Sequence, residues 1–141
     1  MAEGLLRHYL QESEMRNRVE VSSVGTKASL PGCRPDQRAQ KIAAARGIDI
    51  PGIRARRVTA RNLQRSDFIF VMDSANMRDL LQICPVERQD KISYLLGHQA
   101  GQPLLEVPDP YFGSADGFAR VFQIIDDAMA DLLSYIRSRI G

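Results

Sequence analysis

An acid clamped between two prolines is the feature of this chain best suited to moving a proton. In Val107-Pro108-Asp109-Pro110-Tyr111-Phe112-Gly113 each proline fixes its own φ and pushes the residue before it out of the helical region, so Asp109 rides on stiff, extended backbone. Two aromatic residues, Tyr111 and Phe112, follow at once. Standing alone, Pro-Asp-Pro is also an ordinary surface turn. Other reactive side chains are few. The thiols are Cys33 and Cys84, and the histidines are His8 and His98, with no partner spacing that would hold a metal. Arg54, Arg56, Arg57, Arg61 and Arg65 make a basic stretch. It suits steering of an acidic, phosphorylated partner or contact with nucleic acid, and equally a plain solvated face.

The elements that must position these groups read as strands alternating with helices. Residues 2–15 carry one apolar stripe (Leu5, Leu6, Tyr9, Leu10), which predicts a helix whose first turn has almost nothing before it to cap its N–H groups. Residues 19–25 alternate and are β-branched, which predicts a short strand. A loop then leads to a helix over about 36–46, stopped by Gly47, and residues 48–57 read as irregular. Thr59 has the character of an N-cap for a short helix over 60–64. The apolar run Phe68-Ile69-Phe70-Val71-Met72 predicts a strand buried on both faces of a parallel sheet. A helix over 74–83 follows, and Lys91-Ile92-Ser93-Tyr94-Leu95 predicts a further strand. From Ser114 onward, Phe118, Val121, Phe122, Ile125, Met129, Leu132, Leu133, Ile136 and Ile140 keep helical spacing and predict a long helix that covers the core. In such an α/β sheet function gathers at the C-terminal strand ends, which puts Ser23, Asp73 and the Asp109 loop on one edge.

Composition bounds the remaining choices. With 141 residues the chain is long enough for a single domain with a real core, and its 44% hydrophobic and 26% charged content is ordinary for a globular protein. A formal net charge of +2 gives no argument for nucleic acid. No apolar run reaches membrane-spanning length and no signal peptide opens the sequence, so two scattered cysteines are expected as reduced thiols in the cytoplasm.

Taken in order, the motifs resemble the low-molecular-weight protein tyrosine phosphatase family across essentially the whole chain. The resemblance rests on Ala2-Glu3-Gly4-Leu5-Leu6-Arg7, Pro35-Asp36 with Arg38-Ala39, Gly47-Ile48-Asp49-Ile50, Arg54-Ala55-Arg56, Asp67-Phe68-Ile69 with Met72-Asp73 and Asn76, and Pro108-Asp109-Pro110-Tyr111-Phe112-Gly113 with Gly117-Phe118. It implies a flavodoxin-like, three-layer α/β sandwich with a parallel sheet, and hydrolysis of phosphotyrosine or a small aryl phosphate through a cysteinyl phosphate, with no metal or other cofactor. It also implies Asp109 as general acid, Tyr111 and Phe112 as aromatics flanking the cleft, and Ser23 and Asp73 as hydrogen-bonding supports near the phosphate loop. The loop position that often carries an aromatic wall reads Ser29 beside Leu30, and a histidine common before Arg-Ala-Arg reads Ile53.

The same resemblance calls for Cys-x5-Arg-Ser-Pro directly before the residues that match Ala2-Glu3-Gly4, and the 141 residues contain no such run. The residue that would be the arginine is Ala39 after Cys33 and Asp90 after Cys84, so both thiols read as passive. The expectation is an N-terminally truncated domain without its first, central strand, lacking the nucleophile and inactive by the family mechanism. Its unpaired strand edges favour self-association. Alternatives are a noncatalytic, phosphatase-like binding module and arsenate reduction on the same fold, the latter disfavoured because that chemistry also needs cysteines.

Overall fold

The computed structural model describes residues 2–26, 37–48, 56–99, 101, 105–108 and 115–140. In chain order these form α1 (Ala2–Gln11), α2 (Gln37–Ala45), α3 (Ala60–Arg65), β1 (Ile69–Val71), α4 (Ser74–Ile83), a 3-10 helix (Val86–Lys91), β2 (Ile92–Tyr94), a second 3-10 helix (Leu95–His98) and α5 (Ala115–Ile140). Among the described residues β1 and β2 form a two-stranded parallel sheet, with Ile69 opposite Ile92, Phe70 opposite Ser93 and Val71 opposite Tyr94.

The apolar run behind β1 explains the architecture. Strand side chains point alternately to opposite faces. Phe68, Phe70 and Met72 pack against a core built from α1, α2 and α5, centred on Leu5, Phe118, Phe122 and Leu132. Ile69 and Val71 join a second core with Leu63 of α3, Leu80 of α4, Cys84 and Ile92. Helices therefore cover β1 on both sides, and Cys84 is a buried free thiol inside the second core.

Local chemistry sets the helix ends. Thr59 caps α3 in a reciprocal box with Asn62, whose side chain returns a bond to the Thr59 N–H at 2.8 Å. Gly47 takes φ +74 and closes α2, with Ile48 N–H bonded to Ala43 O and Gly47 N–H to Ala44 O, the paired bonds of a Schellman motif. α5 presents Phe118, Phe122, Ile125, Met129, Leu132 and Ile136 to the first core as its spacing predicts. No helix among the described residues is long and apolar enough to cross a membrane.

Two expectations need correction. α1 ends at Gln11 rather than near Met15. There the Ser13 hydroxyl donates to Leu10 O and accepts from Met15 N–H, and such local side-chain bonding competes with the helical ladder. Among the described residues, 19–25 are not a strand: their only backbone pairing is an isolated parallel bridge, Gly25 to Arg57. Their burial still alternates, with Val19, Val21 and Ser23 partly covered and Glu20, Ser22 and Val24 exposed. The pattern is that of a strand, and what is absent among the described residues is a ladder partner.

Leu132→Ala is expected to cost about 2–5 kcal/mol, because Leu132 is fully buried. Leu81→Ala, at an exposed position on α4, should stay within about 0.5 kcal/mol. Urea unfolding midpoints of the two variants decide this, and similar losses for both would contradict the assignment of α5 to the main core.

Candidate active site

At the C-terminal end of β1 four separate segments converge. Met72 O accepts from Val107 N–H at 2.8 Å, which draws in the loop that leads to Pro108. Asp73 caps α4, its carboxylate accepting from Asn76 N–H at 2.8 Å. The Asn76 side chain accepts from Met72 N–H and donates to Thr26 Oγ1, tying the end of the 19–26 segment to the same turn. Gly25 pairs through both its N–H and its carbonyl with Arg56 and Val58. Asp73, Ser74, Ala75, Arg78, Glu106, Val107 and Pro108 line an open groove of about 480 Å³ there.

The N-terminal turn of α4 is already supplied with anions. Besides the Asp73 cap, Glu106 Oε1 accepts from Ser74 N–H at 2.6 Å. The hydrogen bonds from Ser74 hold the Glu106 carboxyl below the ordinary glutamate range. Two of the donors that a bound phosphate would need are thus occupied by the chain's own carboxylates, so this turn anchors a loop and is no phosphate cradle.

Ser23 meets a third carboxylate, that of Glu3. Its hydroxyl donates to Glu3 Oε1 at 2.6 Å, and Arg7 contacts Glu3 Oε2 at 2.9 Å while also donating to Val21 O at 2.9 Å. Glu3 is 7% exposed, and a buried carboxylate is tolerated when its oxygens are bonded in this way. The clamp fixes the start of α1 against residues 21–23, where the sequence suggests only a weakly capped turn.

The described residues thus bring Asp73, the end of the Ser23 segment and the entrance to the Asp109 loop to one edge. Asp109, Tyr111, Phe112, Ser29, Leu30, Cys33 and Ile53 lie outside the described residues. Glu106 and Glu3 were missed by sequence reasoning. Glu106 sits three residues before Asp109 with no motif to mark it, and Glu3 reads as a helix-start acid whose burial only the fold reveals. No group of three His, Cys, Asp or Glu side chains among the described residues is placed to hold a metal.

A family model for low molecular weight phosphotyrosine protein phosphatase matches residues 1–140. A low molecular weight phosphotyrosine protein phosphatase of Schizosaccharomyces pombe is 32% identical over 129 residues, covering 89% of this chain and 81% of that protein. A crystal structure of a protein tyrosine phosphatase from Entamoeba histolytica, with Hepes in its active site, superposes with a TM-score of 0.91 at 30% identity, covering 99% of this chain and 89% of that one. A Bacillus subtilis relative named as a low molecular weight protein-tyrosine-phosphatase is 28% identical over 137 residues, covering 97% of this chain and 86% of that protein.

Two outcomes test this geometry. Ser23→Ala removes one bond from the buried Glu3 carboxylate and is expected to cost about 1–3 kcal/mol by denaturant unfolding; a neutral result would deny the clamp. The Glu106 carboxyl should titrate below its ordinary range by NMR, and Ser74→Ala should move it back upward. A depressed folded-state pKa means that this contribution to stability is present above the unfolded pKa and is lost as pH falls through the folded one. A Glu106 titration indifferent to Ser74→Ala would contradict the assigned cause.

Proposed function

Because the chain belongs to the low molecular weight phosphotyrosine protein phosphatase family, we propose that it forms the acid-bearing part of a protein tyrosine phosphatase, with Asp109 as general acid. A cysteine thiolate attacks phosphorus, the P–O bond to the aryl oxygen breaks as the S–P bond forms, and Asp109 gives its proton to the departing phenolate. Water then attacks the cysteinyl phosphate, passing its proton to the Asp109 carboxylate and freeing inorganic phosphate and the thiolate. Tyr111 and Phe112 flank the aryl ring, Ser29 and Leu30 take the other wall of the cleft, and Ser23 and Asp73 hold the adjoining backbone in place.

The observation that most supports this reading is the anchoring of the loop ahead of Asp109. Val107 N–H bonds Met72 O at 2.8 Å and Glu106 bonds Ser74 N–H at 2.6 Å, so the segment that delivers the acid is fixed at the C-terminal end of a parallel strand. Active sites of open α/β sheets form at that edge.

The 141 residues contain no Cys-x5-Arg-Ser-Pro run, so none of them is assigned as the thiolate or the phosphate-binding guanidinium. For the fold we infer a flavodoxin-like three-layer sandwich whose central strand is missing from these residues. The division of residues 68–72 between two cores and the partnerless alternation of residues 19–25 support that inference. Strand edges left open in this way invite pairing with another chain.

The 141-residue polypeptide alone is expected to give no turnover of an aryl phosphate and to show a concentration-dependent mass in sedimentation. In a protein with a strand and Cys-x5-Arg-Ser-Pro ahead of Ala2, Asp109→Asn should lower kcat by roughly 10² to 10⁴ for esters of poorly acidic phenols. The loss should shrink as the phenol becomes more acidic, because a stable phenolate needs no proton. Turnover by the 141 residues alone, abolished by Asp109→Asn, would overturn the division of the site. Phosphotyrosine binding without hydrolysis in the longer protein would replace the enzyme by a noncatalytic binding module.

A further inference from the structure

We propose that residues 56–65 form a docking surface for an acidic stretch of the protein substrate, outside the cleft that takes the phosphorylated side chain. The link to a substrate rests on the phosphatase reading; the surface itself does not.

The segment carries Arg56, Arg57, Arg61 and Arg65 with no acidic residue between them, and all four side chains are exposed. None of the four makes an ion pair with another described residue, whereas Arg7, Arg46 and Arg137 are each paired to a carboxylate. Its backbone is fixed at both ends. Arg56 and Val58 bond to Gly25 beside the candidate site, and the Thr59–Asn62 box sets the start of α3. At the far end Lys91 donates to Leu63 O and Ser66 O, and Arg88 donates to Gln64 O. Those two cations already satisfy the negative end of α3, so Arg61 and Arg65 are not needed to cap it.

Leu63, 2% exposed, holds the opposite side of α3 in the second core. Arg61 and Arg65 therefore stand one above the other toward solvent, at i and i+4, an arrangement of like charges that disfavours a helix. A repulsive pair that serves neither packing nor capping is accounted for by an external anion. Their separation along the helix is about 6 Å, close to the advance of two residues in an extended peptide. Alternate carboxylates of an extended, Asp- or Glu-rich segment match that spacing. The run also starts at the site edge, since Gly25 adjoins Thr26, which bonds Asn76 next to Asp73. A substrate with its phosphorylated residue in the cleft can thus lay its acidic neighbours along α3. The same charges attract nucleic acid, but a single helix with two aligned arginines offers no aromatic platform for bases.

The test is fluorescence anisotropy of the 141-residue chain with four synthetic peptides, acidic or neutral in their flanks, each with tyrosine or phosphotyrosine. The acidic, unphosphorylated peptide should bind more tightly than the neutral one. The difference should vanish as ionic strength rises from about 0.01 M to about 1 M, where screening shortens from about 30 Å to about 3 Å. The double variant Arg61→Glu with Arg65→Glu should weaken acidic-peptide binding by about tenfold, and Arg61→Gln with Arg65→Gln by about half that factor on a logarithmic scale. Reversal of exposed Arg120 on α5 should leave binding unchanged. Equal binding of acidic and neutral peptides, indifference to both double variants with native circular dichroism, or tighter binding of a single-stranded oligonucleotide through the same arginines would each overturn the proposal. If the acidic preference holds while phosphotyrosine adds nothing in the longer, loop-bearing protein, the surface stands and the phosphatase reading falls.

Discussion

Residues 68–72 have to satisfy two cores at once, and the rest of the molecule is arranged around that demand. Phe68, Phe70 and Met72 are committed to the α1, α2 and α5 side, while Ile69 and Val71 are committed to α3 and α4. A shift of one residue would exchange the two sets and push two phenylalanine rings into the smaller core. The register is therefore fixed by side-chain volume as well as by pairing with β2. Because the register is fixed, so is the point where the chain leaves the sheet, and Asp73 must cap α4 there. The edge that gathers the candidate site is a consequence of packing decided several residues earlier.

Charge inside this fold is spent locally, in short clamps. Glu3 illustrates the logic. Burying a carboxylate is costly, and the cost is offset only when each oxygen finds a donor, here the Ser23 hydroxyl and the Arg7 guanidinium. The gain is orientation: α1 is pinned to a segment that has no ladder among the described residues. Arg46 acts similarly on α5, reaching Asp126 and Gln123 while lying over the Phe122 ring. Asp126 also accepts from Tyr9 of α1 at 2.5 Å, a bond that raises the Tyr9 pKa. Three helices thus share one polar junction at the rim of the main core.

Elements governed by local rules were legible in the sequence. α4 is found over the residues predicted for it, α3 runs one residue longer, and α5 keeps its apolar spacing, since caps and a 3.6-residue period are written in neighbouring residues. The strand predicted over residues 19–25 is not found among the described residues, because a strand is defined by its partner and alternation alone does not supply one. The end of α1 was misjudged for the opposite reason, as one serine hydroxyl outcompeted a helical pattern that continued to Met15. For the site, Asp73 stands at the C-terminal end of β1 and the segment that carries Ser23 reaches that edge through Gly25 and Thr26, while the bonds that Asn76 and Glu3 make there are set by the fold and not by their places in a motif. His98 is offered no partner by spacing in the sequence. It lies against Tyr135 at 4.0 Å between ring centroids, and burial together with Arg139 lowers its pKa.

Electrostatics around α4 also bears on what chemistry this edge can host. Among the described residues the groove is lined by the carboxylates of Asp73 and Glu106 against one guanidinium, that of Arg78. Both carboxylates draw on the N–H groups of the helix start, which is where a free anion would otherwise settle. A phosphate is consequently discouraged from the α4 terminus. An edge whose helix N–H groups are already taken by the chain's own carboxylates suits the anchoring of a loop. It leaves few free N–H donors at the start of α4 for an external anion.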